Sequence, residues 1–156
     1  MARLRAGGKP VTLTLGGDGE EIEALKAQIQ RLGLTKAVGF IGHVKARYGF
    51  SKGNLLVVPS RGDSMPYVVI EAGAAGIPMV AANVGGIPEI FGSHTEALFA
   101  PNNAGAMADA IKAALDDPAD AQARAKSLRE RIFLHFSQKA MVEGVLAGYR
   151  DAFADR

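Results

Sequence analysis

The 156 residues include no cysteine, no tryptophan and only three histidines. Without thiols the chain forms no disulfide, offers no thiolate nucleophile and builds no cysteine-ligated zinc site; this fits a reducing compartment, so a cytoplasmic location is the expectation. His43, His94 and His135 are too scattered along the chain to read as a metal cluster. No apolar run approaches the roughly 18 residues of a membrane-crossing helix. The opening MARLRAGGKP is basic but has no apolar segment of signal-peptide length behind it.

A dense basic field is also missing. Eighteen Lys and Arg against 16 Asp and Glu leave a formal charge of +2, so nucleic acid is not an implied partner and no membrane contact is evident. Nucleotide fingerprints are incomplete: GGDG at 16–19 lacks the spacing of a dinucleotide loop, and no Gly-rich run ends in Gly-Lys-Ser/Thr. A composition of 48% hydrophobic and 22% charged residues does fit a folded domain, and the length suits one.

Strand and helix patterns alternate along most of the chain. VTLTLGG at 11–17 predicts a strand that stops at glycines, and DGEEIEALKAQIQRLGL places Ile22, Leu25, Ile29 and Leu32 at helical spacing behind an acidic front. VGFIGHV at 38–44 and NLLVVPS at 54–60 are further strands, the second apolar enough to be buried on both faces of a parallel sheet. PYVVIEAGAAG predicts a helix of about three turns ending at Gly76, ahead of a fourth strand in IPMVAAN. VGGIPEIFG reads as a loop with a brief helix, EALFAP as a fifth strand, and NAGAMADAIKAALDD as a helix with Met107, Ile111 and Leu115 on one stripe.

From Pro118 only helices remain. Leu128, Ile132 and Phe136 line one face, and Ser137 caps a last helix whose Met141, Val145 and Tyr149 should face inward. The expected architecture is a single α/β Rossmann-like three-layer domain, with about five or six parallel strands and C-terminal helices.

Ligands of open α/β sheets bind at the carboxyl ends of the strands. Along that edge fall GGDGE with Gly17 and Gly19, Gly42 with His43, SRGDSMP at 60–66, and NVGGIPE at 83–89. Pro66 suits a first helical turn because its missing N–H needs no acceptor there. The amides of residues 64–67, with Ser64 and Met65 among them, would then face a phosphate at the positive end of the helix. Asp63 in the loop and Glu71 inside the helix bracket that turn, and a carboxylate grips sugar hydroxyls through charge-assisted hydrogen bonds. Each has a plain alternative: Gly-Asp-Ser is an ordinary turn, and Glu71 could be a solvated helix residue. Gly85 and Gly86 let the main chain approach either a ligand or a neighbouring loop. Arg61 and Lys45 are candidates to neutralise phosphate, and His43 to donate to a nucleotide, although each also reads as an ordinary loop residue.

In their order and spacing, VTLTLGGDGE, VGFIGHV, NLLVVPSRGDSMPYVVIEAGAAGIPMVAANVGGIPEI and ALFAPNNAGAMADAI resemble the C-terminal, donor-binding domain of the retaining GT-B glycosyltransferases, in the glycosyl transferases group 1 family. Members carry two glutamates separated by seven residues; here the positions fall on Asp63 and Glu71, an aspartate standing at the first. Ser64, Met65 and Pro66 replace the frequent Gly-Phe-Gly. The resemblance implies that Glu71 binds nucleotide ribose and that residue 63 approaches the donor sugar and its leaving phosphate. It further implies sugar transfer from a nucleoside diphosphate sugar with retention, and no metal or other cofactor. The acceptor would be a glycan or a lipid-linked sugar held by an N-terminal domain that is absent here, so an isolated 1–156 fragment would be inactive, and the whole enzyme could work at the inner face of a membrane. The usual Arg and Lys pair before the first helix has no match, since Arg3, Arg5 and Lys9 align poorly with it. A degenerate, non-catalytic sugar-nucleotide binding domain and a related GT-B epimerase or phosphorylase are the rival readings.

Overall fold

The computed structural model describes residues 1–154. Five short parallel strands are present: β1 (Leu13–Leu15), β2 (Val38–Phe40), β3 (Leu56–Val58), β4 (Met79–Ala82) and β5 (Leu98–Phe99). Their ladders divide into a β1–β2 pair and a β3–β4–β5 sheet. The single continuous sheet expected from the sequence is therefore two hydrogen-bonded groups, because strands of two to four residues close so few bonds that each ladder is confined to immediate neighbours.

Helices α2 (Ile22–Arg31), α4 (Tyr67–Ala74), α5 (Ile87–Phe91), α6 (Ala104–Asp116), α7 (Pro118–His135) and α8 (Gln138–Ala154) follow the patterns read from the sequence. Two five-residue helices, α1 (Ala2–Ala6) and α3 (Ala46–Phe50), and a 3-10 turn at Thr95–Ala97 were not expected. The third strand packs on both faces as expected, Leu56 and Val58 with one core and Val57 with the other, but it is β4 in which all four residues are buried. Met79 and Ala81 join one core with Val58, Val69, Ile87, Ile90, Phe91, Leu128 and Ile132. Val80 and Ala82 join a second core with Phe99, Ala114 and Ala121 on the other face. Period-two alternation along one strand thus fills both helical layers.

α4 ends at Gly76 as expected, in a Schellman-type cap: Gly76 adopts φ 70°, its amide bonds to the Gly73 carbonyl, and the Ile77 amide bonds to the Ala72 carbonyl; it falls short of three turns because Pro66 stands outside it as the N-cap and Ala75 and Gly76 belong to the cap. Its buried residues Val69, Ala72 and Gly73 form the face applied to the core and α7. α6 is capped by the Asn103 side chain, which accepts from the amides of Gly105 and Ala106 at 3.0 Å each. At its other end the Asp116 carboxylate hydrogen-bonds Lys112 and Lys9, which hold it below the usual carboxylate range and tie the segment after α1 to α6.

α8 departs from expectation. Ser137 caps it as predicted, its hydroxyl accepting from the Ala140 amide at 3.2 Å. Met141, Val145 and Tyr149, however, do not face inward: they are 61, 54 and 62% exposed, and none of the described residues of α8 is buried. Val142 and Leu146, beside them on the helix, are likewise 45 and 47% exposed. Replacing Met141 and Leu146 together by glutamate is accordingly expected to change stability by no more than about 0.5 kcal/mol per site, read as an unshifted urea midpoint.

Candidate functional site

The loops after the strands are joined in two pairs. Gly17, at φ 120°, donates its amide to the Gly42 carbonyl at 2.7 Å, tying the loop after β1 to the loop after β2. The amide of Gly86 donates to the Asp63 carbonyl at 3.1 Å, tying the loop after β4 to the loop after β3. Gly19 lies in the turn that enters α2 and accepts from the Ile22 amide at 3.2 Å.

The second pairing answers the question the sequence left open at the two glycines. A Cβ on Gly85 would lie 1.8 Å from the Asp63 carbonyl oxygen, and one on Gly86 would lie 2.1 Å from that of Ser64. The glycines bring main chain against the neighbouring loop. That contact fixes the backbone of the residue carrying the first carboxylate.

Asp63 is half-buried, and its Oδ1 accepts the Met65 amide at 3.2 Å. The Met65 amide, expected to face outward, is therefore engaged within the loop. Aspartate is short enough to close this turn on the amide two residues ahead. Pro66 is not the first helical residue: it is the buried N-cap, extended at ψ 104°, and its carbonyl accepts the Val69 amide at 3.0 Å. No side chain caps this end. Among the described residues the Tyr67 and Val68 amides find no acceptor, so two donors stand open at the positive end of α4.

Glu71 is exposed and lies one turn into α4, on the side opposite Val69, Ala72 and Gly73. Tyr67 shares its ridge, four residues earlier, at 75% exposure; sequence reading did not single it out, although the spacing to Glu71 was the available signal. Ser64, Met65 and Arg61 are exposed on the same loop, and His43 is exposed after Gly42. Arg61 and His43 make no hydrogen bond or ion pair among the described residues, and Lys45 is the exposed residue that precedes α3. Among the described residues no three His, Cys, Asp or Glu side chains are grouped so as to hold a metal ion. Among the described residues no helix is long and apolar enough to cross a membrane. A cleft of about 180 Å³ between α1 and α6, lined by Arg3, Lys9 and Lys112, lies apart from these loops.

The sequence pattern of the family described as Glycosyl transferases group 1 matches residues 1–117. The chain belongs to this family. Its members with similar sequences include the glycogen synthase of Mycobacterium tuberculosis (strain CDC 1551 / Oshkosh), 31% identical over 153 residues that make up 96% of this chain and 37% of the relative. The D-inositol 3-phosphate glycosyltransferase of Mycobacterium leprae (strain Br4923) is 36% identical over 129 residues, 80% of this chain and 30% of the relative. Among solved structures, sucrose-phosphate synthase from Thermosynechococcus elongatus superposes with a TM-score of 0.76 at 32% identity, covering 92% of this chain and 39% of that one. Anabaena HepE in complex with UDP-glucose shares the fold, with a TM-score of 0.83 at 24% identity over 96% of this chain and 44% of that one. The chain spans well under half the length of these relatives. Of the two acids eight positions apart, Glu71 lies on a helix ridge and Asp63 in a loop turn.

Proposed function

We propose that the chain is the C-terminal, donor-binding domain of a retaining GT-B glycosyltransferase, taking a nucleoside diphosphate sugar at the carboxyl edge of its strands. The observation that carries this reading is the placement of the uncapped N-terminus of α4 between the two carboxylates, Asp63 before it and Glu71 one turn inside. Each group has a task that suits its chemistry. The open Tyr67 and Val68 amides meet the diphosphate, the exposed Glu71 carboxylate grips the ribose diol, and Asp63 faces the sugar undergoing transfer.

Arg61 adds positive charge beside the departing diphosphate, while Ser64 and His43 supply further donors. Gly17, Gly19 and Gly42 keep the adjoining loops low enough for the nucleotide to approach. Catalysis then depends on positioning and on stabilising the negative charge of the leaving group. A nucleophilic acceptor, a glycan or a lipid-linked sugar, would be held by a second domain. The exposed stripe of α8 is a surface on which such a domain could pack.

One observation favours a second reading, a sugar-nucleotide binding domain without catalysis: the Asp63 carboxylate is turned onto its own loop amide. The first experiment is an NMR titration of the isotope-labelled chain with UDP, GDP and ADP sugars. Shifts are expected at residues 16–19, 42–43 and 63–71, and Glu71→Ala should weaken the binding at least roughly tenfold, the scale of a lost hydrogen bond to a charged group. Absence of any response to all three nucleotides would sink the donor reading. Joined to an acceptor-binding half, the wild-type domain should support transfer; binding with no turnover would select the non-catalytic reading instead.

A further inference from the structure

We infer that Tyr67 contacts the donor directly, its phenol donating a hydrogen bond to a phosphate oxygen of the nucleoside diphosphate. The inference rests on the donor reading above and adds to it a residue that the paired carboxylates do not include.

Tyr67 opens α4 and is 75% exposed, with Met65 at 43% and Val68 at 38% beside it. Three large apolar side chains within four residues make an apolar ledge at the lip of an otherwise polar loop. An aromatic ring with a polar tip suits a ligand that is apolar along one side and charged at its end. Among the described residues the Tyr67 phenol has no hydrogen-bond partner. Tyr48, in contrast, has the Lys52 ammonium 4.1 Å from its ring centroid.

Helical geometry fixes what Tyr67 faces. It stands four residues before Glu71, about 6 Å along the axis at the helical rise per residue. The two side chains share the ridge opposite the buried Val69, Ala72 and Gly73. Helical side chains lean toward the N-terminus, so the phenol leans over the end where the Tyr67 and Val68 amides are open. A ligand whose diol is gripped at Glu71 and whose phosphates reach those amides must lie along this ridge, across the ring. The phenol O–H then meets a phosphate oxygen, a short charge-assisted hydrogen bond.

Tyr67→Phe removes the hydroxyl and keeps the ring. At this exposure it should leave the thermal unfolding curve of the chain unchanged. UDP, GDP and ADP are titrated into labelled wild-type protein; the nucleotide that binds is then compared with its own nucleoside in wild type, Tyr67→Phe and Tyr67→Ala. The expected result is that Tyr67→Phe weakens the diphosphate by roughly tenfold and leaves nucleoside binding as it was, while Tyr67→Ala weakens both.

Diphosphate binding unchanged in Tyr67→Phe overturns the inference, as does equal weakening of diphosphate and nucleoside. Failure of the donor reading looks different. If Glu71→Ala abolishes nucleotide shifts and Tyr67→Phe does not alter them, the site stands and Tyr67 is outside it. If wild-type protein responds to no nucleotide, the site and the role of Tyr67 fall together.

Discussion

Alanine at Gly86 is expected to lower stability by about 3 kcal/mol, at the upper end of common single-site effects, and, under the proposed donor role, to weaken nucleotide binding with it. The added Cβ would sit 2.1 Å from the Ser64 carbonyl oxygen, a backbone atom that cannot swing aside as a side chain would. One loop must retreat, and the bond from the Gly86 amide to the Asp63 carbonyl is the first to break. Gly85→Ala should be at least as severe, because it combines a 1.8 Å clash with the Asp63 carbonyl and a φ of 53° that alanine resists. Gly148→Ala is the control: it lies inside α8 with open space around it, and alanine there is expected to be neutral or slightly stabilising. Urea unfolding of the three variants gives the comparison. A Gly86→Ala midpoint equal to wild type would mean that the 61–66 loop is free to move, and the brace would lose its role in holding Asp63.

The consequence of that brace was only half legible in the sequence. Two adjacent glycines announce a close approach, but whether to ligand or to loop depends on which strands are neighbours, and β3 and β4 become neighbours only through long-range pairing. The turn at Asp63 was readable as Gly-Asp-Ser, yet the amide it captures was expected to be free. α4 was readable from Pro66 and the small residues at its end, though Pro66 stands outside it as the N-cap and its last helical residue is Ala74. Helices α1 and α3 were missed because five residues hold too few positions for a periodic pattern to show.

The opposite error arose at α8. Its apolar spacing is real, and periodicity reports that a face is apolar without reporting whether anything covers it. Six large apolar residues of that helix, from Met141 to Phe153, are exposed, while Leu128 and Ile132, read from the same kind of pattern in α7, are buried as expected. Likewise Leu25 in α2 and Leu32 at its C-cap were read on one helical stripe but remain 38 and 47% exposed. The placement of the two carboxylates was legible because their spacing is local: a loop residue and a helix residue on either side of one helix start.

Phe91→Ala is expected to cost about 3–5 kcal/mol, a large share of the roughly 5–15 kcal/mol that holds a domain together. Phe91 is 1% exposed at the end of α5, in a core shared with Ile87, Ile90, Leu128 and Ile132. Its neighbours are held in place by other bonds and cannot collapse into the space it leaves. Arg131 of α7 grips the end of α5, its Nε donating to the Ile90 carbonyl at 3.1 Å and its Nη2 to the Glu89 carbonyl at 2.8 Å. At its other end α5 begins from Gly86, whose amide holds Asp63. A void under α5 therefore loosens the helix that carries the brace, and the damage should reach the loop before the domain unfolds. Phe91→Leu keeps most of the volume and should cost less than about 1.5 kcal/mol. Urea midpoints rank the two variants, and hydrogen exchange at the Gly86 amide reads the loop separately. Faster exchange there in Phe91→Leu, with the slow β4 amides unchanged, is the outcome that connects the core to the loop carrying Asp63; equal acceleration at both would reduce Phe91 to a contributor to global stability.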